Sequence, residues 1–135
     1  MRANSDAAVV VRGIYEAFNQ GDFERVEECF DEQIVWIEPQ RYFVPEGRGE
    51  TVGRAAVMAL LARYPDYWQR FEVEPEEVFD AGGGNVFVLG RQVAHGHGGG
   101  SYEGTFANLW RVRDGMAVEH RSFSDTKALD EAISG

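Results

Sequence analysis

One stretch, Ile14–Pro39 (IYEAFNQGDFERVEECFDEQIVWIEP), limits this chain more than any other, because its hydrophobic period changes part-way along. Val10, Ile14, Ala17 and Phe18 fall at i, i+4, i+7 and i+8, one face of a helix, with Val11 and Tyr15 on its flanks. Gly21 offers the left-handed residue that ends such a helix, and Asp22 a side-chain cap for the next. Phe23, Val26, Glu27 and Phe30 continue as a shorter amphipathic helix. The period then drops to two: Ile34, Trp36 and Glu38 alternate with Val35 and Ile37, as in a strand. A carboxylate therefore shares a strand face with an aromatic and an aliphatic side chain, next to Pro39.

Bulk properties narrow the partners. At 135 residues the chain is expected to form one domain, 1–135, with a single core. Its 23 acids against 13 bases give a formal charge of −10, with no basic cluster, so nucleic acid and anionic membrane are poor partners. The lone cysteine, Cys29, rules out an intrachain disulfide and is expected to be a small packed thiol. With no charged-then-apolar leader and no apolar run of membrane length, a soluble cytoplasmic protein is the default expectation.

The periodicity predicts helices over 7–20 and 23–30, a strand over 33–38, and a helix over 53–64 that is stopped by Pro65. Ser5 or Asp6 is a candidate cap for the first helix. Between them, 40–52 reads as a loop whose Tyr42 and Phe43 either overhang a cavity mouth or sit in a solvated connection. Strands follow over 71–81, 86–95, 102–113 and 116–125, joined by glycine turns and by Asp114-Gly115, with a short helix over 126–133. The acidic run 74–80 reads as a solvated edge. Helices followed by a meander of strands give an α+β class rather than βαβ. Gly90 and Gly104, both mid-strand, suit the bends of a curved sheet.

Tyr15, Ala17, Phe18, Asn19, Gly21, Asp22, Phe30, Trp36 and Pro39, in that order, resemble the opening of the SnoaL-like polyketide cyclases and ketosteroid isomerases of the nuclear transport factor 2-like superfamily. The helix start GRAAVMALLA and the ending NLWRVRDGMAVEHRSFSDT resemble the same family. The resemblance implies a cone-shaped curved antiparallel sheet wrapped over three N-terminal helices. It also implies a homodimer packed through the outer sheet face and an apolar pocket for a small apolar or polyketide-like carbonyl compound. Overlay on the isomerase pattern puts a general base at Glu38 and a polar donor at Asn108. It turns Arg91, Val93 and His95 inward, with His95 or Arg91 as a second donor. The isomerase's oxyanion tyrosine falls on Ile14, and Tyr15 lies one helical step away.

On the strand over 102–113, the face carrying Phe106, Asn108 and Trp110 is the more apolar and is assigned to the pocket. Ile14, Tyr15, Trp36, Leu61, Val93, Phe106, Trp110 and His120 are the expected ligand-contacting set. A desolvated Glu38 suits proton abstraction beside a carbonyl, in an isomerase or cyclase that needs no cofactor and no metal. Against this stands a Glu38 paired with Arg91 or Arg41, in a ligand-binding or dimerisation module without catalysis. A dehydratase working through His95 and His120 is a further alternative. His95, His97 and His120 make only a weak metal set, and an epoxide hydrolase lacks its final-strand aspartate, which falls on Ser122.

Overall fold

The computed structural model describes residues 2–39, 44–45 and 48–134. The elements are α1 (Arg2–Asn19), α2 (Phe23–Glu28), β1 (Phe30–Ile37), β2 (Glu50–Val52), α3 (Arg54–Ala62), α4 (Tyr64–Tyr67), β3 (Trp68–Gly82), β4 (Asn85–Gly96), β5 (Ser101–Arg113), β6 (Met116–Phe123) and α5 (Thr126–Ser134). The six strands form one curved sheet in the order β2-β1-β6-β5-β4-β3, with helices packed on it, an α+β fold.

The break after α1 forms as its residues dictate. Gly21 has φ 73° and the Asp22 carboxylate accepts from the Arg25 backbone N–H at 3.2 Å. Asn19 adds a tertiary contact: its amide donates to Val73 O at 2.6 Å and accepts from Val73 N at 3.3 Å, tying the end of α1 to β3. α1 begins at Arg2, so Asp6 lies within the helix rather than capping it. Its buried face is wide, taking in Ala7, Val11, Ile14, Tyr15 and Ala17, so Val11 and Tyr15 stand inside it rather than on its flanks.

Several boundaries differ from the periodicity. β1 starts at Phe30, which shortens α2 to Glu28. Residues 50–52, expected within a loop, pair with β1. The loop-mouth expectation for Tyr42 and Phe43 falls outside the described residues. Pro65 opens α4 rather than ending α3, in keeping with proline's fit to the first helical turn. β1 runs parallel to β6, so the sheet is a meander closed by one crossover rather than wholly antiparallel. β3 is an edge strand, and its exposed Glu74, Glu76, Glu77 and Asp80 match the solvated edge read from the sequence. Asp114 (φ 53°) and Gly115 (φ 78°) make the expected tight hairpin.

The strand phases fix what faces the interior. β5 turns Phe106, Asn108 and Trp110 inward as expected. β4 has the opposite phase to the one expected: Val86, Val88, Gln92 and Ala94 are buried, whereas Arg91 is exposed. Gly90 is the physical reason. It pairs with Phe106, whose ring atoms would lie 2.7 and 2.9 Å from any Cβ at position 90. Only a residue without a side chain can face inward under that ring, and this sets the phase of the whole strand. The β3–β4 register also shifts between Pro75 and Glu77, beside Gly90, where the sheet bends.

Candidate functional site

The inward side chains of three neighbouring strands line up in rows. Trp36 on β1 lies beside His120 on β6, and His120 beside Trp110 on β5. The next row pairs Ser122 with Asn108. Glu38 continues the inner face of β1 two residues past Trp36, its backbone N–H held by Gly49 O at 2.8 Å. α1 covers these rows and contributes Tyr15.

These groups enclose a cavity of about 50 Å³. Where a single water needs about 10–15 Å³, that is room for a few waters or one small ring. Glu38 and Asn108 both line it, as do Ile14, Tyr15, Trp36, Leu61, Trp110 and His120. Among the described residues no lysine or arginine lines it.

Glu38 is 7 % exposed. Trp36 Nε1–H donates to its Oε2 at 3.0 Å, and Tyr64 Oη–H donates to the same oxygen at 3.3 Å. Burial dominates over these two donors and pushes the carboxyl up to about 7. Oε1 carries no such bond among the described residues, so one oxygen is anchored and the other is open for chemistry.

Tyr15 forms the second polar cluster. Its hydroxyl oxygen accepts from Asn108 Nδ2 at 2.5 Å and from Trp110 Nε1 at 2.9 Å. Burial pushes its ionisation well above the ordinary tyrosine range. With both lone pairs engaged, the remaining function of this hydroxyl is to donate its proton. Tyr15, one helical step from the overlaid position, reaches Asn108 because α1 buries so broad a face.

Four expected site residues are elsewhere. Arg91, Val93 and His95 lie on the outer face because of the β4 phase. Arg91 pairs there with Glu103, so it neither neutralises Glu38 nor serves as a donor in the cavity. His95 and His120 stand on opposite sides of the sheet, so the two-histidine dehydratase arrangement is not formed. Phe106 is buried behind Tyr15, ring centroids 6.0 Å apart, without lining the cavity. Arg41 lies outside the described residues. His97 contacts Pro65 O at 2.7 Å, and no group of three His, Cys, Asp or Glu is poised for a metal among the described residues. Cys29 is half-buried at the end of α2.

Sequence reasoning missed Tyr64, Gln92 and Ser122 as site residues. Tyr64 reads as part of a core stripe, and nothing local marks its hydroxyl for Glu38. Gln92 is 3 % exposed and accepts from Ser124 Oγ at 3.1 Å. A polar residue two positions after Gly90 was the available signal, once the glycine is seen to fix the phase.

Comparison with known proteins gives a consistent picture. A family model for the SnoaL-like domain matches residues 11–120. No curated protein matches. Among solved structures, a nuclear transport factor 2-like protein of unknown function from Burkholderia pseudomallei superposes with a TM-score of 0.88 at 26% identity, covering 96% of this chain and 98% of that one. Bal32a, from a soil-derived mobile gene cassette, superposes with a TM-score of 0.86 at 28% identity, covering 97% and 98%. TerC, co-crystallised with polyporic acid, superposes with a TM-score of 0.86 at 23% identity, covering 96% and 99%. No helix among the described residues is long and apolar enough to cross a membrane.

Proposed function

The chain belongs to the SnoaL-like domain family, and on that premise we propose that it is an isomerase- or cyclase-type enzyme acting on a small enolisable carbonyl compound. Glu38 is the general base, and Tyr15, braced by Asn108, is the donor to the enolate. One observation carries this reading: among the described residues a single buried carboxylate, with one oxygen anchored, lines the same small cavity as a tyrosine whose hydroxyl has only its proton left to give.

The chemistry follows from these groups. Glu38 Oε1 takes a proton from the carbon beside the carbonyl, and the C–H electron pair moves into the C–C–O system. The negative charge collects on the carbonyl oxygen, where the Tyr15 O–H donates. Glu38, now a neutral acid, returns the proton to a different carbon to complete an isomerisation. Alternatively the enolate carbon attacks a second carbonyl in the same molecule and closes a ring, the C=O π pair moves to that oxygen, and the alkoxide so formed takes the proton back from Glu38. A base titrating at about 7 combines availability with strength near neutral pH. Every step uses side chains alone. The co-crystallisation of TerC with polyporic acid supports a small organic ligand for this fold.

The test is α-proton exchange. Small cyclic ketones are incubated in D₂O with the wild type and with Glu38→Gln, and loss of the α-proton signal is followed by NMR. Exchange by the wild type that rises with pH through about 7, and vanishes in the variant, is expected. Equal exchange by both proteins sinks the base assignment. A second reading, ligand binding without catalysis, draws on the small volume of the cavity and would then lead.

The same proposal includes a cytoplasmic homodimer. Phe79, Phe87, Leu89, Leu109 and Phe123 occupy neighbouring outward positions on four strands, and Phe79 and Phe123 are 46% and 51% exposed. Sedimentation as a monomer at micromolar concentration would remove that part.

A further inference from the structure

Gln92 is a buried amide whose two ends meet different surroundings. The phase set by Gly90 carries it to the inner face of β4, where it is 3% exposed and lines the cavity with Phe18, Phe71 and Val73. Its Oε1 accepts from Ser124 Oγ–H at 3.1 Å. Its Nε2 has no hydrogen-bond partner among the described residues. Among those residues, the buried side-chain atoms that lack both a partner and contact with open space are Glu119 Oε2 and His120 Nδ1. Nε2 is not one of them, so it touches open space. For a residue so nearly enclosed, that space is the cavity it lines. The amide is planar, so the bond that holds Oε1 on Ser124 turns the two N–H groups away from Ser124. The position is also far from the reacting end. Val88 pairs with Asn108, and Gln92 stands four residues further along β4. At about 3.3 Å per residue, the two rows are about 13 Å apart. The side chains at the two ends take up part of that span, and a six-membered ring with oxygens at opposite corners matches the rest.

We propose that Gln92 is a specificity-determining residue of the cavity, donating from Nε2 to a second, uncharged oxygen of the ligand across the ring from the carbonyl held at Tyr15. This deepens the carbonyl reading of the cavity and rests on it. The ligand group is an acceptor, a ketone or ether oxygen, because an amide N–H only donates. It is uncharged because no lysine or arginine lines the cavity among the described residues, so an anionic group would be buried beside Glu38 without a counter-charge. Discrimination follows from enclosure. Phe18, Phe71 and Val73 make this end of the lining apolar, so a ligand that fills it without a second oxygen leaves the N–H groups unpaired. Ser124 acts through Gln92 as a positioning residue, fixing which end of the amide meets the ligand.

The experiment titrates ¹³C,¹⁵N-labelled protein with cyclohexane-1,4-dione and with cyclohexanone, following the Gln92 side-chain amide by NMR after through-bond assignment. The dione is expected to bind about three- to tenfold more tightly, the worth of one hydrogen bond, and to move the Gln92 amide protons downfield, which cyclohexanone does not. Gln92→Met should lose the preference. Arg91→Ala, on the outer face of the same strand, should keep it. Equal or weaker affinity for the dione in the wild type, no binding of the dione, an unmoved Gln92 amide on its binding, or a preference that survives in Gln92→Met each overturns the proposal. The wild-type titration decides the matter even if Gln92→Met does not fold. Failure here is distinct from failure of the base assignment. That assignment falls on equal α-proton exchange by the wild type and Glu38→Gln, whereas this titration reads binding alone.

Discussion

The inner and outer faces of the sheet are built from alternate residues of the same strands, yet they push the same functional group in opposite directions. On the outer face, Arg70 donates to both oxygens of Glu72, at 2.9 and 3.1 Å, and holds that carboxyl below its ordinary range. On the inner face, Glu38 has only neutral donors among the described residues, and burial drives its carboxyl up to about 7. Arginines decide the difference. Arg70, Arg91, Arg111 and Arg121 all project outward onto acids, while among the described residues none lines the cavity. The net charge of −10 is thus carried mostly on the outside, and what matters inside is one carboxylate with no lysine or arginine beside it in the cavity lining among the described residues.

Breaking the inner site has the largest expected effect. Glu38→Gln should lower α-proton exchange by about 100- to 10,000-fold, the usual worth of a positioned base. An equal loss from Glu72→Gln would erase the contrast between the faces.

Next come two opposed titrations. Folded Glu38 keeps a proton that the unfolded chain loses between about pH 4.5 and 7, so its contribution to stability falls as pH rises through that window. His120 is lowered to about 3 by burial, so it refuses a proton that the unfolded chain takes up below pH 6.5, and its contribution falls as pH drops. From about pH 4.5 to 6.5 the two slopes cancel. Glu38→Gln should therefore lose about 1.4 kcal/mol of stability, relative to wild type, for each pH unit of descent across this range. His120→Phe should lose as much, relative to wild type, for each unit of ascent. Urea unfolding at several pH values checks both, since all other carboxylates are common to the three proteins. Identical slopes in the two variants would show that the inner face does not isolate these groups.

Gly90→Ala tests the device that sets the faces. A methyl group there collides with the Phe106 ring and with Glu74 O, and a loss of about 1–3 kcal/mol is expected in chemical denaturation. The smallest effect belongs to the outer face: Arg91→Ala breaks only an exposed ion pair, so a stability change within about 1 kcal/mol and unaltered exchange activity are expected.

Much of the site can be read from the sequence because β1 and β5 each put their large apolar residues on one face. Ile34-x-Trp36-x-Glu38 and Phe106-x-Asn108-x-Trp110 point inward by simple alternation. β4 defeats this rule because both of its faces are apolar. Its outer Phe87, Leu89 and Val93 are as apolar as its inner Val86, Val88 and Ala94, so alternation leaves the phase open, and the family overlay that turns Arg91, Val93 and His95 inward selects the wrong side. The inner residues are small because Phe106 and α1 already fill the space above them. Tyr15 was misjudged for a related reason: a helix lying inside a curved sheet is buried over more than one stripe. Tyr64 could not be found locally at all, since its role depends on a partner 26 positions away.

The hydrogen bonds from Asn108 and Trp110 to Tyr15 span 93 and 95 positions of sequence. Closing so long a loop costs entropy that local contacts do not repay, and parallel pairing of β1 with β6 adds a second distant closure. The pocket therefore has no precursor in any fragment of the chain. During refolding, activity should return only with the last, slowest phase, after most helix and hairpin signal has already recovered.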